Sequence, residues 1–189
     1  RRDGQALEYA SEDLRNDREV VLSAVERDGD ALAHASEDLR GDRAIVLSAL
    51  GAYSGKRNGK GMGWGGFRNG SPLQFAAAHL RGDRDVVLAA VRRDGQALEY
   101  ASEDLRNDRE VVLSAVERDG DALAHASEDL RGDRAIVLSA LGAYSGKRNG
   151  KGMGWGGFRN GSPLQFAAAH LRGDRDVVLA AVRRDGQAL

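Results

Sequence analysis

Residues 1–91 recur as residues 92–182 without a single change, and residues 183–189 (RRDGQAL) open a third copy. A shorter period lies inside each copy. Residues 1–25, 26–50 and 67–91 align as 25-residue units, and a 16-residue stretch, 51–66, stands between the second and the third. A chain built this way folds as an array of one small unit. The units show what that unit keeps. Leu7, Leu32 and Leu73 share one position, Ala10, Ala35 and Ala76 another, and Leu14, Leu39 and Leu80 a third. Val21, Leu22 and Ala24 recur as the same residue types in every unit.

Leu7, Ala10 and Leu14 are spaced i, i+3, i+7, and Val21, Ala24 and Val25 are spaced i, i+3, i+4. Each set is one face of a short helix. Caps place the helix ends. Ser71-Pro72 reads as an N-cap followed by proline at the first helical position, and Asp30 holds that cap position in the second unit, where the first has Gln5. The second helix is predicted to start after Asp17, Asp42 and Asp83. Asn16, Gly41 and Gly82 before them are residue types that tolerate a left-handed turn. Asp28-Gly29 reads as a glycine stop. Each unit is therefore expected to be helix–turn–helix, with about seven and about ten residues per helix.

Helices this short do not stand alone in water, so the units must bury their apolar faces on one another. The fold class expected is all-α, an α-solenoid of short helix–turn–helix repeats with two Gly-rich loop insertions. Two repeats occupy 1–50 and three occupy 67–141. One occupies 158–182, the insertions are 51–66 and 142–157, and 183–189 starts a further, truncated repeat. The period fits neither tetratricopeptide nor ankyrin spacing, and the leucine-rich pattern is absent.

The stretch ALEYASEDLRNDREVVLSAV, residues 6–25, carries a family likeness. It resembles the helical repeat family catalogued as domain of unknown function 4116. That family is typified by A-L-x-Y-A-S-x-x-L-R-x-D-R-x-V-V-L-x-A-V followed by a D-G turn. The second unit matches nearly as well. The third departs at SPLQFAAAHL, where Ala-Ala-His replaces Ser-Glu-Asp. The resemblance covers everything except the insertions. It implies a fold and carries no assigned chemistry.

Composition excludes several classes. The 189 residues contain no cysteine, so disulfides, thiol catalysis and cysteine-ligated zinc are out. No apolar run approaches the roughly 18–20 residues of a membrane helix, and no secretory signal is visible. An intracellular, cytoplasmic setting is expected. The start at RRDGQAL rather than Met reads as a piece of something longer.

Net charge is −1, yet it is segregated. Residues 51–70 hold Lys56, Arg57, Lys60 and Arg68 and no acid, and the second copy holds Lys147, Arg148, Lys151 and Arg159. Each copy carries +4, which leaves −9 for the rest. Both tryptophans, Trp64 and Trp155, lie in these stretches. Basic Gly-rich loops with an aromatic can track phosphates and stack a base, so these ten residues form a candidate polyanion or RNA site. The plainer reading is a tolerated insertion at a repeat junction, with Trp64, Phe67 or Tyr53 packing back on the adjacent helix. A nucleotide loop does not fit. Gly55-Lys56-Arg57-Asn58-Gly59-Lys60-Gly61 is one residue short of a Walker A motif and lacks its Ser/Thr.

Arg15, Asp17 and Arg18 recur in every unit, and stacking would align them into ladders of caps and inter-repeat ion pairs. Glu12-Asp13 and Glu37-Asp38 read as solvated turns without calcium-loop spacing. His34 stands where other units have Tyr9 and Phe75, so it packs as a flat ring, and His79 replaces an acid. Neither has metal spacing. No metal, no cofactor and no catalytic set is expected. The function expected is a non-enzymatic scaffold for a protein or peptide partner, with polyanion binding through the loops as the alternative.

Overall fold

A computed structural model describes residues 3–53, 70–143 and 162–184. Among the described residues every element is helical. The repeat, the 25-residue period and the solenoid stacking are as the sequence predicts. The helix–turn–helix unit needs one correction: each unit has three helical pieces. In the second unit they are a 3-10 helix Gly29–His34, a one-turn α-helix Glu37–Arg40 and a longer α-helix Arg43–Ala52.

The predicted first helix is divided because Ala35 and Ser36 are extended, with φ/ψ of −69/156 and −58/161. Ser36 Oγ accepts the Leu39 N–H at 3.3 Å and so starts a new helix. Two acids in its first turn and an arginine in its last match the dipole. Glu12-Asp13 and Glu37-Asp38, expected on a turn, open these one-turn helices instead. Leu7 and Leu14 therefore belong to different helices, and their shared periodicity comes from two short pieces that both face the core.

Two further expectations on turn chemistry are corrected. The cap of the 3-10 helix in the second unit is Asp28, not Asp30: its Oδ1 accepts the Asp30 N–H at 3.2 Å. Only where Ser71 and Ser162 precede proline does the expected position cap the helix. Asn16, Gly41 and Gly82 are not left-handed. Their φ/ψ values are −101/0, −92/−7 and −99/−4, and their N–H groups donate back to close the one-turn helix.

The aspartate caps of the long helices stand as predicted. Asp42 Oδ1 accepts from Ala44 N at 2.8 Å and Ile45 N at 3.2 Å, and Asp17, Asp83, Asp108, Asp133 and Asp174 do the same in their units. Long helices of consecutive units pack on one another, and so do consecutive 3-10 helices. The core runs between these two ladders, with Leu32, Ile45, Leu50, Leu73, Leu98 and Leu123 among its fully buried side chains.

A backbone bond ties each unit to the next. Ser36 N–H donates to Arg15 O at 2.9 Å, Ser102 N–H to Arg81 O at 2.9 Å and Ser127 N–H to Arg106 O at 2.9 Å. The same bond spans both insertions, from Ala77 N–H to Arg40 O at 3.0 Å and from Ala168 N–H to Arg131 O at 2.9 Å. The stack is thus continuous across them.

Asp28-Gly29 is not a helix stop but the tightest point inside the unit, between its 3-10 helix and its long helix. Gly29 belongs to the next 3-10 helix, and a Cβ there would lie 2.4 Å from Ala49 O. Gly95 meets Ala115 O at 2.5 Å and Gly120 meets Ala140 O at 2.3 Å in the same way. A methyl group cannot fit against backbone, so the helix pair must separate. Gly51, in the last turn of its helix, has nothing within 4 Å of a Cβ. Gly95→Ala is expected to lower stability by about 2–3 kcal/mol, and Gly51→Ala to raise it by about 0.5–1 kcal/mol. Urea unfolding of both variants checks this; equal effects would contradict the contact.

Candidate interaction surfaces

The ten loop residues singled out in the sequence, Lys56, Arg57, Lys60, Trp64, Arg68, Lys147, Arg148, Lys151, Trp155 and Arg159, lie outside the described residues. The roots of the first insertion are described. The long helix runs on through Gly51 and Ala52, and Tyr53 packs back on the solenoid, 8% exposed. Tyr53 Oη donates to Asp94 Oδ2 at 3.2 Å, and its carbonyl accepts from Arg93 at 3.3 Å. At the return, a Cβ on Gly70 would lie 2.6 Å from Tyr100 Oη. Both roots therefore meet the same 3-10 segment, around Gly95–Tyr100.

The expected arginine–aspartate ladder is present. Arg18 Nε reaches Asp42 Oδ2 at 3.2 Å, Arg43 reaches Asp83 at 3.0 Å and Arg84 reaches Asp108 at 3.0 Å. Arg109 and Arg134 continue to Asp133 at 3.4 Å and Asp174 at 3.6 Å. Arg43 also pairs with Asp85, and Arg84 with Glu110. Asp42, Asp83, Asp108, Asp133 and Asp174 thus use one oxygen on their own helix and the other on the preceding unit. The hydrogen bond from Arg43, then that from the Val86 N–H, holds the Asp83 carboxyl below its ordinary value. These pairs are exposed, worth about 0–1 kcal/mol each, and they occupy the arginines that an anionic ligand would need.

The other arginine of the motif is tucked in. Arg15, Arg40, Arg81, Arg106 and Arg131 have buried Nε atoms without a hydrogen-bond partner. An open groove between the first two one-turn helices is lined by Glu12, Asp13, Arg15, Ser36 and Asp38. Its rim repeats along the stack as exposed carboxylates: Glu12-Asp13, Glu37-Asp38, Glu103-Asp104 and Glu128-Asp129. Among the described residues only Glu103 of these eight has an ion pair, with Arg106 at 3.9 Å. His79 and His170 interrupt the ridge, and His79 Nε2 bonds the Gly41 carbonyl across the junction at 3.2 Å. Among the described residues no group of three His, Asp or Glu is placed to hold a metal ion, and no helix is long and apolar enough to cross a membrane.

His34 and His125 are half-buried at the ring position, as expected. His125 Nε2–H donates to Gln96 Oε1 at 3.2 Å, and Gln96 Nε2 donates to Asp119 Oδ2 at 2.9 Å. Burial holds the His125 imidazole below its ordinary value, against the pull of Glu99.

Sequence reasoning missed one pair of groups. Asp30 and Asp121 are half-buried, and each has a buried Oδ1 without a partner. The facing units place Pro72 and Pro163 there, within 3.1 Å of a Cβ on the adjoining Gly29 and Gly120. Burial, then the nearby Asp28 or Asp119, raises both carboxyls from 3.8 to about 6. The only signal was negative: Ser and Pro in the next unit leave the acid unmatched.

The family model for "Domain of unknown function (DUF4116)" matches residues 1–40, 17–54, 67–106 and 108–145, well over half of the chain. No curated protein and no solved structure matches it.

The raised Asp30 and Asp121 carboxyls fix a pH dependence. The unfolded groups release their protons near 3.8 and the folded ones near 6, so the folded state binds more protons between those values. Stability therefore falls as pH rises from about 4 to about 6 and stays reduced above. Asp30→Asn with Asp121→Asn is expected to stabilise the protein at pH 7 by about 1–2 kcal/mol per site, discounted for partial exposure. The gain is expected to vanish near pH 3.5. Denaturant midpoints at the two pH values check this, and a gain equal at both contradicts it.

Proposed function

The chain belongs to the DUF4116 family, and from that premise we propose that it is a non-enzymatic repeat scaffold for a protein or peptide partner inside the cell. The observation that carries this reading is the distribution of polar groups. The caps, the Arg–Asp ladder and the backbone bonds are spent holding unit to unit. What remains outward, once per unit in four of the six, is an exposed Glu-Asp pair on a one-turn helix. A periodic acidic ridge on a rigid stack fits an extended partner with spaced basic side chains, held by polar contacts and sensitive to salt.

The second reading is polyanion or RNA binding through the basic Gly/Trp insertions. Its support is the charge of residues 51–70 and 142–161, +4 in each copy with no acid, and the tryptophan each holds.

One comparison separates the two. A labelled Lys/Arg-rich peptide and a labelled single-stranded RNA oligonucleotide are titrated into the intact chain and into a chain lacking 54–66 and 145–157, which keeps the helix ends and Tyr53. The scaffold reading expects the peptide to bind both chains equally. It expects Glu37→Gln with Asp38→Asn, Glu128→Gln and Asp129→Asn to weaken that binding several-fold. Saturable quenching of Trp64 and Trp155 by RNA in the intact chain, lost between about 50 and 200 mM salt, with binding of the labelled RNA lost in the deleted chain, would establish the second reading instead.

A further inference from the structure

Each unit carries two arginines in its Arg-x-Asp-Arg run, and the stack uses one of them. The later arginine, at Arg18, Arg43, Arg84, Arg109 and Arg134, pairs with the cap aspartate of the next unit. The earlier one, at Arg15, Arg40, Arg81, Arg106 and Arg131, has a buried Nε without a hydrogen-bond partner. Arg15 Nη2 donates to the Glu8 carbonyl at 2.6 Å, and Arg106 Nη2 stands 3.9 Å from Glu103. Among the described residues the side chains of Arg40, Arg81 and Arg131 have no hydrogen bond and no ion pair. All three belong to units with a neighbour on either side. A guanidinium held in a fold that gives it no acceptor is poised for one from outside, and the Arg106 side chain is still 35% exposed.

The surroundings select the acceptor. Each of these arginines closes a one-turn helix, and in Glu37–Arg40, Glu103–Arg106 and Glu128–Arg131 the same turn opens with an exposed Glu-Asp pair. Arg40 lines one groove with Glu37 and Asp38. The junction recurs in the interior, where Ser127 bonds the Arg106 carbonyl and Asn107 Oδ1 as Ser36 bonds the Arg15 carbonyl and Asn16 Oδ1. A carboxylate or phosphate arriving there would meet like charge from the pair. A neutral main-chain carbonyl would not, and the pair is left to take a basic side chain of the same peptide.

The stack also sets a spacing. Long helices of consecutive units pack side by side, so each unit rises by about 8–10 Å. A peptide in the polyproline II conformation rises about 9 Å in one turn of three residues, with every carbonyl free. Its side chains at every third position share one face. The acidic pair is missing at unit 67–91, where Ala78-His79 stands, while Arg81 continues the arginine column.

We propose, resting on the scaffold reading above, that the partner is a polyproline II segment laid along the one-turn helices. Its main-chain carbonyls accept from Arg40, Arg81, Arg106 and Arg131. Its basic side chains, at every third residue, meet the Glu-Asp pairs, and an uncharged residue faces Ala78-His79.

Fluorescence anisotropy tests this with two labelled peptides of equal composition, KPSKPSAPSKPSK in the proposed register and PSPSKKKKPSAPS with its lysines in one block. The intact chain is expected to bind the first about fivefold or more tighter. Arg40→Met with Arg131→Met is expected to weaken that binding about tenfold, although it removes positive charge from the site of a positive peptide. Methionine keeps an apolar stem, so an unchanged thermal melt is expected. Unchanged or tighter binding by the variant overturns the proposal and leaves the acidic-ridge scaffold standing. Equal affinity of the intact chain for the two peptides overturns it as well, whether or not the variant folds. Binding of neither peptide overturns the scaffold reading and this proposal with it.

Discussion

Burial in this protein is completed between units, not within them. The long helix of each unit offers one valine or isoleucine to the unit before it and the next residue to the unit after it. Val86 and Val87 show the pair fully covered in the middle of the stack. A helix of eight residues such as Arg84–Val91 cannot hold its own backbone bonds in water, and a one-turn helix such as Glu103–Arg106 still less. Both persist because each neighbour covers a face. The apolar contact supplies the larger part of that stabilisation. The exposed Arg–Asp pairs add little energy, but they set register: the cap aspartate must face the preceding arginine for its second oxygen to be used.

Glycine sets the closeness of the helices inside a unit, and proline fills the space against the unit before it. Gly29, Gly95 and Gly120 let a 3-10 helix approach the carbonyl end of the long helix of its own unit to backbone contact. In units 67–91 and 158–182 the junction differs. Ser71 and Ser162 cap at the next position, and Pro72 and Pro163 fill the gap beside the preceding glycine. That exchange leaves a buried Oδ1 of Asp30 and of Asp121 without a polar partner. The same two junctions carry the insertions between their units, and the backbone bond from Ala77 to Arg40 still forms there. A 16-residue excursion costs little when its ends are held close, and the two roots meet the two ends of one segment, Tyr53 at the cap Asp94 and Gly70 at Tyr100.

Much of this was legible in the sequence because the repeat itself acts as a comparison. Leu7, Ala10, Val21 and Val25 were identified as core from their recurrence, and the aspartate caps and Arg–Asp ladder from their spacing. The division of the first helix was not legible. Ser11 and Ser36 sit inside an apolar period that reads as one helix, and the break depends on a serine side chain taking the Leu14 or Leu39 N–H. The role of Gly29 was misread for a related reason: a glycine after a helix signals a stop, whereas here it marks a contact with Ala49 that is close only in three dimensions. The candidate loop site was legible as composition and charge alone, and its residues lie outside the described structure.

The central claim is that one continuous stack runs through both insertions. Native-state hydrogen exchange of the junction amides tests it most directly. Ser102 and Ser127 N–H cross uninterrupted junctions, and Ala77 and Ala168 N–H cross the interrupted ones. The account predicts comparable slowing of exchange at Ala77 and Ser102, in the interior of the stack. Ala77 and Ala168 exchanging like exposed amides, while Ser102 and Ser127 stay protected, would show separate blocks joined by linkers and contradict it.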